Sequence, residues 1–366
     1  MSWSLFFNWR STKWYQVLLV IMICLYLQPC LAADKKTGSW VSVPVFFATT
    51  RSTVDGNPDY SGARNLAKDD QGVEYGIVTV TIPTETASDV DKSSMVKLGW
   101  KDSEKKKRKE VKIDKLSRDD FYKALQGRHQ STKYEETCVF VHGYNNKFAG
   151  AAGSAARLEL ALKEPVVLFS WPSVAKLKGY TVDECNAEWS VRPFQVFMQG
   201  MEQFFDSKHL MTVSHSMGNR LVNWYFQSRY DKKNGNPDRF REVVLTSPDI
   251  DRATFKNYFF KIAANADKTR IYVSAKDIPL RLSKFVHGSP RTGADLTKDE
   301  NKWDMPGNID GTQSINFTDV DSGAIGHSIQ YKIIGSMHRD GKPGDGLSLE
   351  EDKTFKGDYV RVYRAK

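Results

Sequence analysis

A buried strand that turns sharply into a helix at Ser216 constrains the fold of this chain more than any other feature. The segment 209–218, HLMTVSHSMG, is apolar at first and ends in small residues, and MGNRLVNWYFQSR after it has a helical pattern. A strained strand-to-helix turn brings backbones close together, so it needs small residues two places before and after the residue at its tip. Gly218 meets that need, and Ser214 replaces the usual first glycine. The pattern predicts a nucleophile elbow with Ser216 at its tip.

A serine hydroxyl is a weak nucleophile by itself, so the elbow requires a base and an acid further along the chain. The alternating strand pattern RIYVSAKD ends at Asp277, and the segment INFTDVDSGAIGHS carries His327. The order Ser216, Asp277, His327 is that of the α/β-hydrolase fold. We predict that His327 takes the serine proton and returns it to the leaving group, while Asp277 fixes the histidine tautomer. Asp249, in SPDID after the preceding strand, is the alternative acid.

The segment 137–146, TCVFVHGYNN, has the features of a strand followed by a loop that binds an oxyanion. Its apolar run gives way to His142 and Gly143, and a glycine there lets the backbone approach a substrate. We expect the backbone amides of Tyr144 and Met217 to form the oxyanion hole. Each such donor stabilises the transition state by about 3 kcal/mol.

Five other residues near these motifs have supporting roles. Trp171, in the segment LFSWPS, is a weak candidate for the wall of a substrate pocket. We interpret His142 and His215 as residues that shape the oxyanion loop and the elbow rather than transfer protons. Arg51 and Asp183 are interpreted as residues that organise loops.

The chain also resembles a bacterial family of α/β-hydrolases of uncharacterised function. The resemblance runs from about Val43 to Gln330, and its segments, in order, are VPVFFATTRS, YGIVTVTIP, FVHGYNN, LFSWPS, GYTVDECNAEWS, SHSMGNRLV, VVLTSPDIDRATF, YVSAKDIPLRLS, HGSPRTG and GHS. It implies the serine hydrolase fold and carries the triad over to the three positions given above, but it names no substrate. The chain departs from the family pattern in an insertion at residues 97–115 and at Pro279, where the relatives more often have alanine.

The fold class that these patterns predict is α/β, with a mostly parallel central sheet of about eight strands flanked by helices. An apolar content of 40% is ample for a buried sheet, and no Pro/Gly/Ser-rich linker divides the chain, so we expect one hydrolase domain over residues 40–335. Residues 336–366 are predicted to form a C-terminal extension. The predicted strands are Val41–Thr49, Gly76–Ile82, Thr137–Val141, Pro165–Ser170, Leu210–Ser214, Glu242–Thr246, Arg270–Ser274 and Ser314–Phe317.

Residues 1–33 have the pattern of a signal peptide. Two basic residues, Arg10 and Lys13, precede an apolar stretch of about fourteen residues, and small residues follow at Ala32 and Ala33. We therefore expect export to the periplasm or the extracellular space. The alternative is an uncleaved anchor in the inner membrane, although the stretch is shorter than the roughly twenty residues of a membrane span.

A charged insertion at about residues 85–118 contains the run KKKRK and accounts for much of the net charge of +9. Charge runs of this kind usually face water in a loop or hairpin. The sharper interpretation is contact between Lys101–Lys115 and a membrane or envelope surface. Nucleic acid is not expected as a partner, because no aromatic residues are interleaved with the basic run.

The four cysteines point to no metal site. Cys24 and Cys30 fall in the leader, and we expect Cys138 and Cys185 to be two separate buried thiols. Triad chemistry supplies its own base and oxyanion donors, so no cofactor or metal is implied.

The sequence thus predicts an exported serine hydrolase that cleaves small-molecule or lipid esters through an acyl-enzyme on Ser216. Esters are preferred to amides only by analogy with other proteins of this scaffold. Two alternatives stay open, namely a peptidase or thioesterase with the same triad, and a binding or surface-interaction protein that keeps the fold without turnover.

Overall fold

The computed structural model describes residues 40–54, 57–67, 72–83, 113–131, 136–294, 311–321, 325–344, 347–351 and 359–364. The predicted signal peptide and residues 85–112 of the charged insertion lie outside the described residues. No helix in the described ranges is long and apolar enough to cross a membrane.

Thirteen strands form two sheets in the described part of the chain. The strands are β1 (Trp40–Thr49), β2 (Arg51–Val54), β3 (Asn57–Arg64), β4 (Glu74–Pro83), β5 (Ile113–Leu116), β6 (Thr137–Val141), β7 (Val166–Ser170), β8 (Leu210–His215), β9 (Phe240–Thr246), β10 (Ala266–Val273), β11 (Thr312–Asn316), β12 (Leu347–Glu351) and β13 (Tyr359–Arg364). The helices are α1 (Arg118–Ser131), α2 (Phe148–Leu162), α3 (Tyr180–Trp189), α4 (Val191–Phe204), α5 (Asn219–Lys232), α6 (Arg252–Ala264), α7 (Ile278–His287) and α8 (Tyr331–Asp340).

The large sheet has the order β12-β13-β11-β10-β9-β8-β6-β7-β1-β4-β5. The eight strands from β13 to β1 in that order are mutually parallel, whereas β12, β4 and β5 extend the two edges in antiparallel pairs. Strands β2 and β3 form a separate antiparallel pair. This mostly parallel, helix-flanked sheet confirms the predicted fold class.

Side chains of the central strands alternate between two apolar cores, one on each face of the sheet. On β1, Phe46 and Ala48 face the core that includes α1, α4, α5 and α6, whereas Val45 and Phe47 face the core with α2 and α8. Because both faces are covered, β6 and β7 are buried along their whole length. The sheet is therefore a fixed frame for the loops at its carboxyl edge.

Most departures from the predicted elements lie at the edges of the sheet. Strands β2, β3, β5, β12 and β13 carry polar residues at many positions, so apolar periodicity did not reveal them. The last two belong to residues 336–366, which continue the main sheet beside β11.

Helix α4 begins at Val191 and holds Pro193 in its first turn, where the N–H group that proline lacks would have no intrahelical partner. One detail of the neighbouring helix α3 differs from expectation. Cys138 and Cys185 are both free, but Cys185 on α3 is exposed rather than buried, while Cys138 on β6 is buried as expected.

Candidate active site

Ser216 lies at the tip of the turn between β8 and α5, with a positive φ of 53°. A left-handed backbone costs a residue other than glycine about 1–3 kcal/mol and persists only where the surroundings enforce it. Gly218 allows the turn to close, since a Cβ at that position would lie 2.8 Å from the carbonyl oxygen of Val141 on the neighbouring strand. The local geometry is therefore that of the predicted elbow.

Asn219 fastens the elbow from inside. Its Nδ2 donates to the carbonyl oxygens of Ser216 at 2.9 Å and Thr246 at 3.0 Å. Its Oδ1 accepts a hydrogen bond from the hydroxyl of Ser214 at 2.7 Å. Ser214 thus has a structural use at the position where glycine is usual, because its hydroxyl bonds the side chain that holds the turn.

Asp277 and His327 are joined directly. Their Oδ2 and Nδ1 atoms are 2.7 Å apart, and Asp277 is fully buried where β10 leads into α7. Burial by itself lowers the pKa of His327, but the charge and hydrogen bond of Asp277, together with the charges of Asp249 and Asp321, outweigh burial, so the pKa of His327 is raised above its usual 6.5. Asp277 thus favours the imidazolium form that a general base passes through.

His215 connects His327 to the elbow. The rings of the two histidines are 4.8 Å apart, and Nε2 of His215 donates to the carbonyl oxygen of His327 at 3.1 Å. Burial first, and then the charge of His327, keep the pKa of His215 well below its usual value, so His215 is neutral. No hydrogen bond joins Ser216 Oγ to His327 in the described residues, and such bonds often tighten only when substrate binds.

The oxyanion loop lies against the elbow. A Cβ on Gly143 would be 2.8 Å from Nδ1 of His215 and 2.9 Å from Cβ of Ser216, so the loop backbone can lie this close only without a side chain there. The next residue, Tyr144, is one predicted oxyanion donor. The other, Met217, is in the first turn after the elbow, where amides have no intrahelical partner.

The buried side chain of His142 holds this loop in place. Its pKa is lowered to about 3 by burial and by the charge of Arg51, so the ring is neutral. Nδ1 lies 2.8 Å from the carbonyl oxygen of Gly143, whereas Nε2 lies 3.1 Å from the carbonyl oxygen of Trp171 and 3.3 Å from Nη2 of Arg51. In the neutral ring only one nitrogen donates, and the shorter contact assigns the proton to Nδ1. The ring stacks on Trp171, whose indole donates to the carbonyl oxygen of His142 at 2.7 Å. Trp171 is fully buried, so it contacts the loop rather than solvent.

Arg51 and Asp183 hold the same loop from the side. Arg51 donates to the carbonyl oxygen of Asn146 at 2.8 Å and to Ser170 Oγ at 2.8 Å. Asp183 accepts from Ser173 Oγ at 2.5 Å and from the amide of Asn145 at 3.4 Å. Both residues organise loops, as the sequence suggested, and they fix the oxyanion loop to the segment after β7.

Asp249 has other partners than the histidine. Its carboxylate is paired with Arg291 at 2.8 Å and Arg220 at 3.5 Å, and it also accepts hydrogen bonds from Tyr180 and Ser283. Burial raises the pKa of Asp249, but the two guanidinium groups outweigh burial and keep it below its usual value. The geometry gives the role of histidine partner to Asp277, and the alternative acid belongs to an ionic network.

Sequence reasoning missed this network. Tyr180, Arg220 and Arg291 come from α3, α5 and the loop after α7, and no local spacing connects them. The only sequence signal was that all three lie in segments that resemble the hydrolase family.

Strained backbone is concentrated at this edge of the sheet. Six residues other than glycine have positive φ in the described part of the chain, and four of them follow the carboxyl ends of β6, β7, β8 and β9. The four are Asn145, Ala175, Ser216 and Ser247. Residues with strained backbone conformations tend to cluster at functional sites.

The sheet, the elbow and the histidine beside it define an α/β-hydrolase. The chain belongs to the family described as alpha/beta hydrolase of unknown function (DUF900), whose model matches residues 117–333. This confirms the predicted resemblance to a hydrolase family without an assigned function.

Comparisons with individual proteins add little. No curated protein matches the sequence. A similar solved structure is the hyperthermophilic esterase from the archaeon Pyrobaculum calidifontis, with 12% sequence identity over 50% of this chain and a TM-score of 0.23. The match spans 56% of that esterase, which is about half its length. A likeness this distant bears on neither substrate nor mechanism.

Proposed function

We propose that this protein is a serine hydrolase that cleaves carboxylic esters through an acyl-enzyme on Ser216. The observation that carries the proposal is the bond between Asp277 and His327, beside a serine whose backbone is strained at a strand-to-helix turn. A histidine that is held and polarised by a buried carboxylate activates a weak nucleophile.

In the proposed reaction, His327 removes the proton of Ser216 as Oγ attacks the ester carbonyl carbon. The negative charge that develops on the carbonyl oxygen is bound by the amides of Tyr144 and Met217. The tetrahedral intermediate collapses, the carbon–oxygen bond to the alcohol breaks, and His327 gives its proton to the departing alkoxide. Water then attacks the acyl-enzyme with the same base, which releases the acid and restores Ser216.

Export belongs to the same proposal and is supported by the pattern of residues 1–33 alone. Esters are chosen over amides and thioesters by analogy with the scaffold, so the substrate panel has to include all three classes.

The first experiment is labelling of the full chain with a fluorophosphonate probe, followed by mass spectrometry of the adduct. We expect one adduct, on Ser216, that is lost in Ser216→Ala. The matched control is Ser42→Ala, which removes an exposed hydroxyl that bonds Thr81 on the neighbouring strand. A folded wild-type chain that stays unlabelled contradicts the proposal and favours a binding role for the fold.

A further inference from the structure

We infer that the edge of the sheet around Ser216 docks on a negatively charged lipid surface and takes its esters from that surface. This inference rests on the proposed function and names its substrate class as lipid esters at an anionic interface. It is carried by an apolar rim beside the site, defined as the exposed side chains of Leu177, Val182, Ile278, Phe285, Val286 and Ile325.

The rim is a concentration of exposed apolar surface. Its six residues are among the eleven large apolar side chains that are exposed in the described part of the chain. On α7, Ile278, Phe285 and Val286 recur at positions i, i+7 and i+8, which places them on one face of the helix. Phe285 is 68% exposed. Exposed apolar patches of this kind on a globular domain mark surfaces that contact a partner or a membrane.

The rim is built on the segments that carry the catalytic candidates. Helix α7 starts directly after Asp277, and the amide of Ile278 donates to the carbonyl oxygen of Ile325, two residues before His327. On the other side, the hydroxyl of Tyr144 donates to the carbonyl oxygen of Leu177 at 2.6 Å. The rim therefore borders both the base and the oxyanion loop.

Polar contacts hold the two sides of the rim together. Tyr180 Oη, at the start of α3, and Ser283 Oγ, in the middle of α7, are 3.0 Å apart. His287 Nε2, at the end of α7, lies 2.7 Å from the carboxylate of Glu184 in the middle of α3. Leu177 and Val182 thus belong to the same surface as the stripe on α7.

Charge decides which partner this surface fits. Five basic residues lie on the rim segments, namely Lys176, Lys178, Lys276, Arg281 and Lys284. Of the acids on the described parts of these segments, Asp183, Asp277 and Asp321 are buried and Glu184 is ion-paired, so Glu188 and Asp319 are the two that are exposed. An apolar stripe flanked by Lys and Arg is complementary to anionic headgroups above an acyl region.

The test must separate the rim from the N-terminal stretch, because an apolar segment like residues 14–27 partitions into bilayers by itself. In the full chain with Cys24→Ser, Cys30→Ser and Cys185→Ser, the added change Phe285→Cys gives a site for an environment-sensitive fluorophore. Cys138 is fully buried and stays unlabelled. The matched control is Trp224→Cys in the same background, at a 55% exposed position on α5.

With vesicles of phosphatidylcholine containing about one third phosphatidylglycerol, we expect emission at position 285 to rise about twofold or more and to shift to the blue. The label at position 224 should not respond, and neither label should respond to pure phosphatidylcholine. The pair Lys176→Glu and Lys178→Glu should weaken the response at 285 about tenfold, whereas Lys232→Glu and Lys233→Glu at the C-terminal end of α5 should not.

Equal responses at 285 and 224, or none at 285 with anionic vesicles, overturn the inference and leave the rim as a surface for a protein. Fluorophosphonate labelling of Ser216 without vesicles tests the proposed function separately. A chain that labels at Ser216 while position 285 ignores lipid keeps the function and loses this inference.

Discussion

Asp277 and His327 are coupled through a single carboxylate oxygen, since Oδ2 of Asp277 lies 2.7 Å from Nδ1 of His327. The other oxygen, Oδ1, accepts from the amide of Leu280 at 2.8 Å and caps α7. The acid is therefore held rigidly by the helix it starts. A general base works only when unprotonated, so a raised pKa of His327 means that kcat/KM rises with pH through a midpoint above 6.5.

Asp277→Asn should lower kcat by about 10³–10⁴-fold, because an amide neither stabilises the imidazolium nor enforces the tautomer. The remaining activity should depend on a His327 pKa that has fallen, which moves the midpoint of kcat/KM to lower pH. The measurement is kcat/KM for a soluble ester across about pH 5 to pH 9. Asp251→Asn is the matched control, since Asp251 caps α6 through Thr254 in the same way but does not contact the histidine. If the pH midpoint of kcat/KM were unchanged in Asp277→Asn, Asp277 would not be the residue that raises the pKa of His327.

Asp249→Asn should instead act mainly on stability. It leaves Arg291 buried without its charge partner, which costs about 3–5 kcal/mol of unfolding free energy. The charge of Asp249 also raises the pKa of His327, but less than that of Asp277, so the midpoint should shift only slightly. Urea unfolding and the same pH profile test both points. A larger pH shift here than in Asp277→Asn would reverse the assignment of the acid.

The sequence predicts those parts of the fold in which consecutive residues alone decide the local structure. Strands such as β6 and β7 are short, wholly buried runs, and periodicity found them within a residue. The elbow at Ser216 is equally local, because the residues that make the turn are consecutive. Edge strands such as β5 and β13 carry polar residues at many positions, so their membership of the sheet is decided by pairing rather than by pattern.

The sequence likewise predicts some residues of the site but not the contacts between distant parts of the chain. Order along the chain was enough to propose Asp277 and His327, because the fold brings loops after successive strands to one edge. It could not decide between Asp277 and Asp249, since both follow strands and only the side-chain contacts differ. The supports that Arg51 gives to the oxyanion loop are also nonlocal, because its partners lie about a hundred residues away.

A second buried cluster lies near the amino ends of β6 and β9, away from the candidate site at the carboxyl ends of the strands. We expect it to govern the pH dependence of the free energy of unfolding. Glu242 pairs with Arg270, and its carboxylate lies 2.7 Å from Nδ1 of His338. Glu136, itself paired with Arg241, faces the other ring nitrogen at 3.4 Å. Burial opposes both charges, yet the partners prevail, so the pKa of Glu242 is lowered below 4.5 and that of His338 is raised above 6.5.

The raised pKa of His338 contributes stability that is complete below pH 6.5 and is lost as the pH rises through the folded-state value. The lowered pKa of Glu242 contributes stability that is present above pH 4.5 and is lost in acid. Glu242→Gln should therefore lower the free energy of unfolding by about 3–5 kcal/mol at about pH 5.5. It should also reduce the fall in that free energy as the pH rises through the pKa of His338. Urea unfolding at several pH values measures this. The control is Asp238→Asn, which breaks an exposed pair with Lys233 and should cost no more than about 0.5 kcal/mol.

The contact between Gly143 and the elbow gives the sharpest test of the oxyanion loop. In Gly143→Ala, the new methyl group would lie 2.8–3.0 Å from atoms of His215 and Ser216, which are closer contacts than real side chains show. The loop must move away, and Tyr144 moves with it, so kcat should fall about 10²-fold as one oxyanion donor is lost. KM for a short ester should change far less, because the donor acts mainly in the transition state.

Gly127→Ala is the matched control for that change. Gly127 lies within α1 with open space around the position of a new Cβ, so alanine there should leave kcat unchanged and raise stability by about 0.5–1 kcal/mol. Fluorophosphonate labelling of Gly143→Ala distinguishes loss of the oxyanion donor from loss of serine activation. If Ser216 is still activated, it reacts with the probe although turnover is slow. If Gly143→Ala kept full kcat with a native unfolding transition, the oxyanion would have to be bound by amides other than that of Tyr144.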